Sequence, residues 1–112
     1  MSVTNPAHPN AGWFEASGSD LICASGTVED TWYVWGLPHY LLVDKTFDCG
    51  DGLVFFRLSV HDPGDPVPVD ETFTWTILGG TGAYVGLHGH GSGTTDAIAG
   101  GALNHYTGFL VG

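Results

Sequence analysis

Two histidines at positions 88 and 90 are the first candidates for chemistry in this chain. Residues at i and i+2 point to the same face of a β-strand, so both imidazoles are expected on one side of a sheet. Imidazoles bind divalent metals when further ligands converge on them, and His105 on the following strand could supply a third nitrogen. The spacing predicts a metal site at His88, His90 and His105, with surface histidines of a glycine-rich hairpin as the alternative.

Three further side chains could orient or polarise a substrate, and we name Arg57, Tyr84 and Tyr106 as candidate catalytic residues. Arg57 is the only arginine, and it lies in an apolar strand segment. An inward guanidinium would polarise a carbonyl or hold an acidic ligand. An outward one would pair with a neighbouring acid such as Asp44 or Asp48, or lie on a tryptophan face.

Aromatic residues are abundant, with 4 Trp, 4 Tyr and 6 Phe in 112 residues. They supply core packing, and they also suit an apolar ligand cavity with a few phenol or indole donors. The candidate ligand-binding residues are Trp35, Phe55, Phe73 and Trp75. The segment Trp32–Leu37 is apolar on both faces, which is typical of a barrel mouth or a subunit contact.

The composition excludes several functional classes. A formal net charge of -10 repels phosphate backbones, so nucleic acid is not an expected partner. No apolar run reaches the roughly 18 residues of a membrane span, and no nucleophile elbow, phosphate loop or CxxC motif is present. We expect a small apolar ligand as the partner, no cofactor and no membrane, with a homo-oligomer as a further possibility.

Strand-length apolar segments broken by Gly, Pro and Asp predict an all-β protein with about eight antiparallel strands. Residues 1–11 are expected to form a flexible lead and residues 12–112 a single domain. Among the predicted strands are two separate ones at Leu21–Glu29 and Thr31–Trp35. Glycines at 80, 82, 86, 89, 91 and 93 allow strong local bending. The glycines favour a single eight-stranded antiparallel β-barrel over a sandwich.

The run from Thr74 to Gly93 resembles the strand-turn-strand signature of allene oxide cyclase-like barrels, a superfamily that includes dirigent proteins and spirotetronate cyclases. Small exported actinobacterial proteins carry a similar G-G-T-G-x-Y-x-G-L-x-G-x-G-x-G pattern, and the segments Cys23–Val28 and Lys45–Cys49 are also similar to them. The resemblance implies an eight-stranded barrel with an apolar cavity that guides cyclisation by shape. It transfers no catalytic residue to this chain.

The two cysteines, Cys23 and Cys49, are expected to join adjacent strands in a disulfide, with two buried free thiols as the alternative. A paired cysteine count in a small, charge-poor β domain is typical of exported proteins, so we expect a secreted protein whose signal peptide is not part of this sequence. The expected function is binding of a small hydrophobic ligand, with cofactor-independent cyclase or isomerase activity. The alternatives are a non-catalytic ligand- or protein-binding barrel and a histidine-based metal-binding barrel.

Overall fold

The computed structural model describes residues 2–7, 11–36, 40–61, 71–98 and 101–112. These residues form eight β-strands and one 3-10 turn at Gly82–Tyr84. The strands are β1 Ser2–Ala7, β2 Ala11–Ser17, β3 Ser25–Gly36, β4 Tyr40–Asp48, β5 Leu53–His61, β6 Glu71–Gly80, β7 His88–Ile98 and β8 Gly101–Val111. Within the described ranges, no helix is long and apolar enough to cross a bilayer.

Each strand pairs with its neighbours in the chain, all antiparallel, and β1 pairs with β8 to close the barrel. The predicted all-β, eight-stranded antiparallel barrel is therefore confirmed. The closing strand was not predicted, because the segment expected to be a flexible lead forms β1. Its register runs from Ser2 opposite Thr107 to Ala7 opposite Ala102. Pro6 does not prevent strand formation there, although proline lacks a backbone N–H to donate to the ladder.

The two short strands predicted at Leu21–Glu29 and Thr31–Trp35 are instead one strand, β3. It runs without interruption from Ser25 to Gly36 along β4, and the register shifts between Asp30 and Trp32. A β-bulge of this kind adds one residue to a strand and increases its local twist. Because this fusion offsets the additional strand β1, the predicted number of strands is unchanged.

Side chains alternate between the barrel interior, which we call the lumen, and the outer wall. The lumen holds a cluster of buried rings that pack closely around Phe47. The centroid of this ring lies 4.8 Å from that of Phe14, 4.3 Å from that of Phe56 and 5.6 Å from that of Tyr106. Phe73 and Trp75 extend the cluster from β6, and both side chains are buried. In this part of the barrel, side chains fill the interior as expected for eight strands.

Glycines on the lumen side of β7 provide the space for two of these rings. A Cβ atom on Gly91 would lie 2.7 Å from Cζ2 of Trp75 and would also clash with the carbonyl oxygen of Thr107. A Cβ atom on Gly93 would clash with the ring of Phe73. The Trp75 indole N–H then donates to the carbonyl oxygens of Ser92, at 3.2 Å, and Thr107, at 3.1 Å. Part of the glycine pattern is thus explained by packing against aromatic rings.

One end of the barrel, which we call the disulfide end, carries the connections β2–β3, β4–β5 and β6–β7. Cys23 and Cys49 form a disulfide there with a Cα–Cα distance of 5.8 Å, as predicted. Both cysteines lie just outside the strands. Disulfides persist in oxidising environments, so this bond indicates an extracytoplasmic location.

Candidate functional site

A group of polar side chains faces the lumen above the aromatic rings, on the side away from the disulfide end. We call Asp30, Lys45, Thr95, Asn104 and Tyr106 the lumen polar cluster. Asp30, Lys45 and Asn104 each lie two residues further from the disulfide end than a buried residue of the same strand. These buried residues are Val28, Phe47 and Tyr106. The alternation of the strands therefore turns three polar side chains into the barrel interior.

Lys45 and Asp30 form an ion pair between facing positions of β3 and β4. The Nζ of Lys45 donates to Oδ1 of Asp30 at 2.7 Å. The Lys45 side chain is 7% exposed and that of Asp30 is 26% exposed. Burying such a pair costs desolvation energy, and apolar replacements of similar volume are often neutral or stabilising. The presence of these two charges is therefore weak evidence that they stabilise the fold.

Thr95 and Asn104 form a second polar pair on the facing wall of the barrel, between β7 and β8. The Thr95 hydroxyl donates to Oδ1 of Asn104 at 2.7 Å. Asn104 is buried, whereas Thr95 is partly exposed. Because β7 and β8 lie across the barrel from β3 and β4, the two polar pairs face the lumen from opposite sides.

Tyr106 is a fully buried member of this cluster. Its hydroxyl is sealed from solvent and has no hydrogen-bond partner within the described part of the chain. Burial raises the pKa of the Tyr106 phenol well above its usual value, and the negative charge of Asp30 raises it further. An unpartnered buried hydroxyl is costly and uncommon in native proteins. Tyr106 is thus a neutral hydrogen-bond donor without an acceptor.

Arg57 lies on the outer wall, away from the lumen polar cluster. Its guanidinium donates to both carboxylate oxygens of Asp44, at 2.7 and 3.0 Å, and lies 5.4 Å from the ring centroid of Trp32. The hydrogen bonds to Asp44, followed by its charge, raise the pKa of Arg57. The geometry is the outward alternative considered from the sequence, with both an acid and a tryptophan face as partners.

Tyr84 lies at the disulfide end, where its hydroxyl donates to Oδ1 of Asp51 at 2.8 Å. Burial is the main cause of its raised pKa, followed by the hydrogen bond to Asp51. The three candidate catalytic residues Arg57, Tyr84 and Tyr106 therefore occupy three separate places. Of these three, only Tyr106 belongs to the lumen polar cluster, so the geometry does not support a joint role. Their individual catalytic roles stay predictions.

The four candidate ligand-binding residues are also dispersed. Phe73 and Trp75 belong to the packed aromatic cluster, whereas Phe55 is partly exposed on the outward side of β5. Trp35 lies in β3, but its side chain is outside what the structure describes. The other four members of the lumen polar cluster, Asp30, Lys45, Thr95 and Asn104, are not among the site residues predicted from the sequence.

The three histidines predicted to bind metal all lie on the outer wall. His90 is opposite Phe109, whereas His105 is opposite Thr94, four residues further along β7. Four residues of extended strand span about 13 Å, so the register does not bring His105 to His90. Within the described residues, no group of three or more His, Cys, Asp or Glu side chains is arranged to hold a metal ion.

Fold and site together define a closed, disulfide-bonded antiparallel β-barrel with a buried aromatic cluster and a polar cluster in its lumen. No protein-family model, no curated protein and no solved structure matches this chain. The similarity to allene oxide cyclase-like barrels therefore stays a prediction from the glycine pattern.

Proposed function

We propose that this protein binds a small, uncharged and largely apolar molecule in its lumen, next to the lumen polar cluster. The observation that carries the proposal is the buried Tyr106 hydroxyl, which has no hydrogen-bond partner among the residues that the structure describes. A ligand oxygen that accepts its hydrogen bond would remove the cost of leaving this donor unsatisfied. The ion pair of Asp30 and Lys45 is a second polar group of the lumen, and its presence there is weak evidence of a stabilising role.

Solvent contact at Asp30 supports access to this part of the lumen, because its carboxylate side chain keeps 26% exposure. The Tyr106 hydroxyl itself has no free space beside it. A ligand therefore reaches it only after a neighbouring side chain moves, and we propose that this side chain is Lys45, whose four-carbon stem is flexible. The proposal thus includes a side-chain rearrangement at Lys45 on binding.

The chemistry proposed for this ligand is cofactor-independent cyclisation or isomerisation. The aromatic cluster would form an apolar floor that holds a flexible substrate in a folded conformation. A neutral phenol such as Tyr106 would donate to a carbonyl or ether oxygen and stabilise negative charge that develops there. A tyrosine phenol is protonated at neutral pH, and the raised pKa of Tyr106 extends its protonated range to higher pH.

The experiment is a ligand-detected NMR screen of small ketones and ethers beside hydrocarbons of matched size. We expect the oxygen-containing compounds to bind, and we expect Tyr106→Phe to weaken them about tenfold, the value of one well-placed hydrogen bond. Tyr84→Phe is the matched control, because it removes a phenol hydroxyl that donates to Asp51 at the disulfide end, away from the lumen polar cluster, and should leave affinity unchanged. Equal affinity for Tyr106→Phe and wild type would reject the proposal.

We also propose that the protein is secreted, because its disulfide indicates an extracytoplasmic location. Mass spectrometry of the natural host's culture medium is expected to find this chain with Cys23 and Cys49 oxidised. Recovery from the reduced cytoplasm alone, with both thiols free, would contradict it.

A second candidate function is protein binding or self-association through the outer side of β3. Trp32 is 46% exposed and Val34 is 44% exposed, and large exposed apolar side chains are typical of contact surfaces. Light scattering across a concentration series is expected to show a dimer that Trp32→Ala dissociates. A monomer at all concentrations, with no effect of Trp32→Ala on partner capture, would contradict this candidate.

A further inference from the structure

The outer wall of β6, β7 and β8 carries a groove with a volume of about 430 Å³ that is open to solvent. Six polar side chains line it, and Phe73 and Gly93 complete the lining. They form two rows across the three strands, the first with Thr72, Thr94 and His105 and the second with Thr74, Ser92 and Thr107. The volume falls within the roughly 300–1,000 Å³ of small-molecule sites.

We infer that this groove binds a neutral carbohydrate chain. Threonine presents a methyl group beside a hydroxyl that both donates and accepts hydrogen bonds. A sugar ring has the same combination, since its C–H faces are apolar and its edges carry hydroxyls. Two parallel rows of such side chains therefore complement a chain of sugar rings laid across the strands.

The charges of the chain disfavour an anionic ligand in this groove. The chain contains one lysine and one arginine, and both have carboxylate partners elsewhere, Lys45 with Asp30 and Arg57 with Asp44. No basic side chain other than His105 lines the groove, and a net charge of -10 repels anions. No carboxylate is among its lining residues, and the carboxylate of Asp96 at the margin of the groove lies 3.7 Å from Nε2 of His105.

An exposed aromatic ring adjoins the second row and suits the face of a further sugar ring. Phe109 lies two residues beyond Thr107 on the same face of β8, and its side chain is 73% exposed. Its ring centroid lies 6.2 Å from that of His90, its partner on β7. The ring of Phe109 offers an apolar surface for the C–H face of a sugar, and the side chains of the groove offer hydroxyls for its edges.

The test is an NMR titration of the full chain with a β-1,4-linked glucose hexamer at millimolar concentration. A β-1,4-linked galacturonic acid hexamer of equal length is the charged comparison. We expect the neutral hexamer to shift the backbone amides of Ser92, Thr94 and Thr107, and the acidic hexamer to bind at least tenfold more weakly. No shift with the neutral hexamer, or equal binding of the acidic one, overturns the inference.

Two variants locate the site on the groove. Thr94→Val with Thr107→Val keeps the shape of two exposed side chains and removes their hydroxyls, and it is expected to weaken the neutral hexamer about tenfold. Thr27→Val is the matched control, because Thr27 is an exposed threonine on β3, away from the groove. Equal weakening by both changes, or amide shifts confined to Asp30, Lys45 and Asn104 in the lumen, also overturns it. The apolar ligand of the lumen can be tested separately, so either proposal can fail without the other.

Discussion

Replacement of Lys45 by methionine separates the functional account of the ion pair from a purely structural one. The change removes the Nζ charge of Lys45, which lies 2.7 Å from Oδ1 of Asp30, and keeps most of the side-chain volume. Removing one partner of a buried ion pair costs roughly 3–5 kcal/mol, because the other charge is left uncompensated. Asp30 keeps 26% exposure, so water recovers part of its solvation. We therefore expect Lys45→Met to lose about 3 kcal/mol of unfolding free energy, the lower limit of that range.

The double variant Asp30→Leu with Lys45→Met is the decisive comparison. With both charges removed, no carboxylate is left unpaired, and the free energy of unfolding is expected to return to within about 1 kcal/mol of wild type. The same variant should bind the lumen ligand poorly, because the lumen polar cluster has lost both of its charged side chains. Chemical denaturation at pH 7 measures the stabilities. A double variant as unstable as Lys45→Met would refute the reasoning, since the pair would then be needed for the fold itself.

Three further predictions follow from the fold. Removing the disulfide by Cys23→Ser with Cys49→Ser should cost about 3.5 kcal/mol for a separation of 26 residues; a loss under about 1 kcal/mol in denaturant titration would show that the bond constrains little. Gly91→Ala should destabilise by about 3 kcal/mol or more, because its Cβ meets backbone and an aromatic ring. Its outward neighbour Ser92→Ala should change stability by less than about 0.5 kcal/mol in the same assay, and equal effects would contradict the assigned facing. Burial raises the pKa of Tyr106, so above about pH 10 the unfolded chain loses a proton that the folded chain keeps. Stability should then fall by up to about 1.4 kcal/mol per pH unit, and less steeply in Tyr106→Phe; parallel slopes would argue against a buried neutral phenol.

The strand pattern and the glycines were enough to predict the barrel, because alternation and turn residues are local signals. The identity of the strand that closes the barrel was not a local signal. Ser2–Ala7 is polar and contains proline, and it becomes a strand only because β2 and β8 both offer it backbone partners. The bulge after Asp30 likewise depends on the register with β4, so the sequence predicts two strands separated at Asp30 where the structure has one.

The candidate site was harder to predict, because the role of a residue depends on whether its side chain points into the lumen or to the outer wall. Arg57 attracted attention as the only arginine, yet it alternates with the buried Phe56 and Leu58 and therefore points outward. Lys45 and Asp30 share the facing of Phe47 and Val28, which places both charges in the lumen. The alternation of side chains along β3 and β4 predicts that both charges face the lumen, once the bounds of these strands are known. No sequence pattern shows that the Tyr106 hydroxyl lacks a partner among the described residues, because this depends on how the interior is packed.

The most direct test of the central claim is a map of backbone amide shifts when wild-type protein is saturated with the tightest ketone or ether from the screen. The account predicts that the largest shifts fall on Asp30, Lys45, Asn104 and Tyr106, with the side-chain signals of Lys45 changing most. Shifts confined to the outer wall, or no compound that perturbs the lumen residues, would contradict it and leave the barrel interior as core alone.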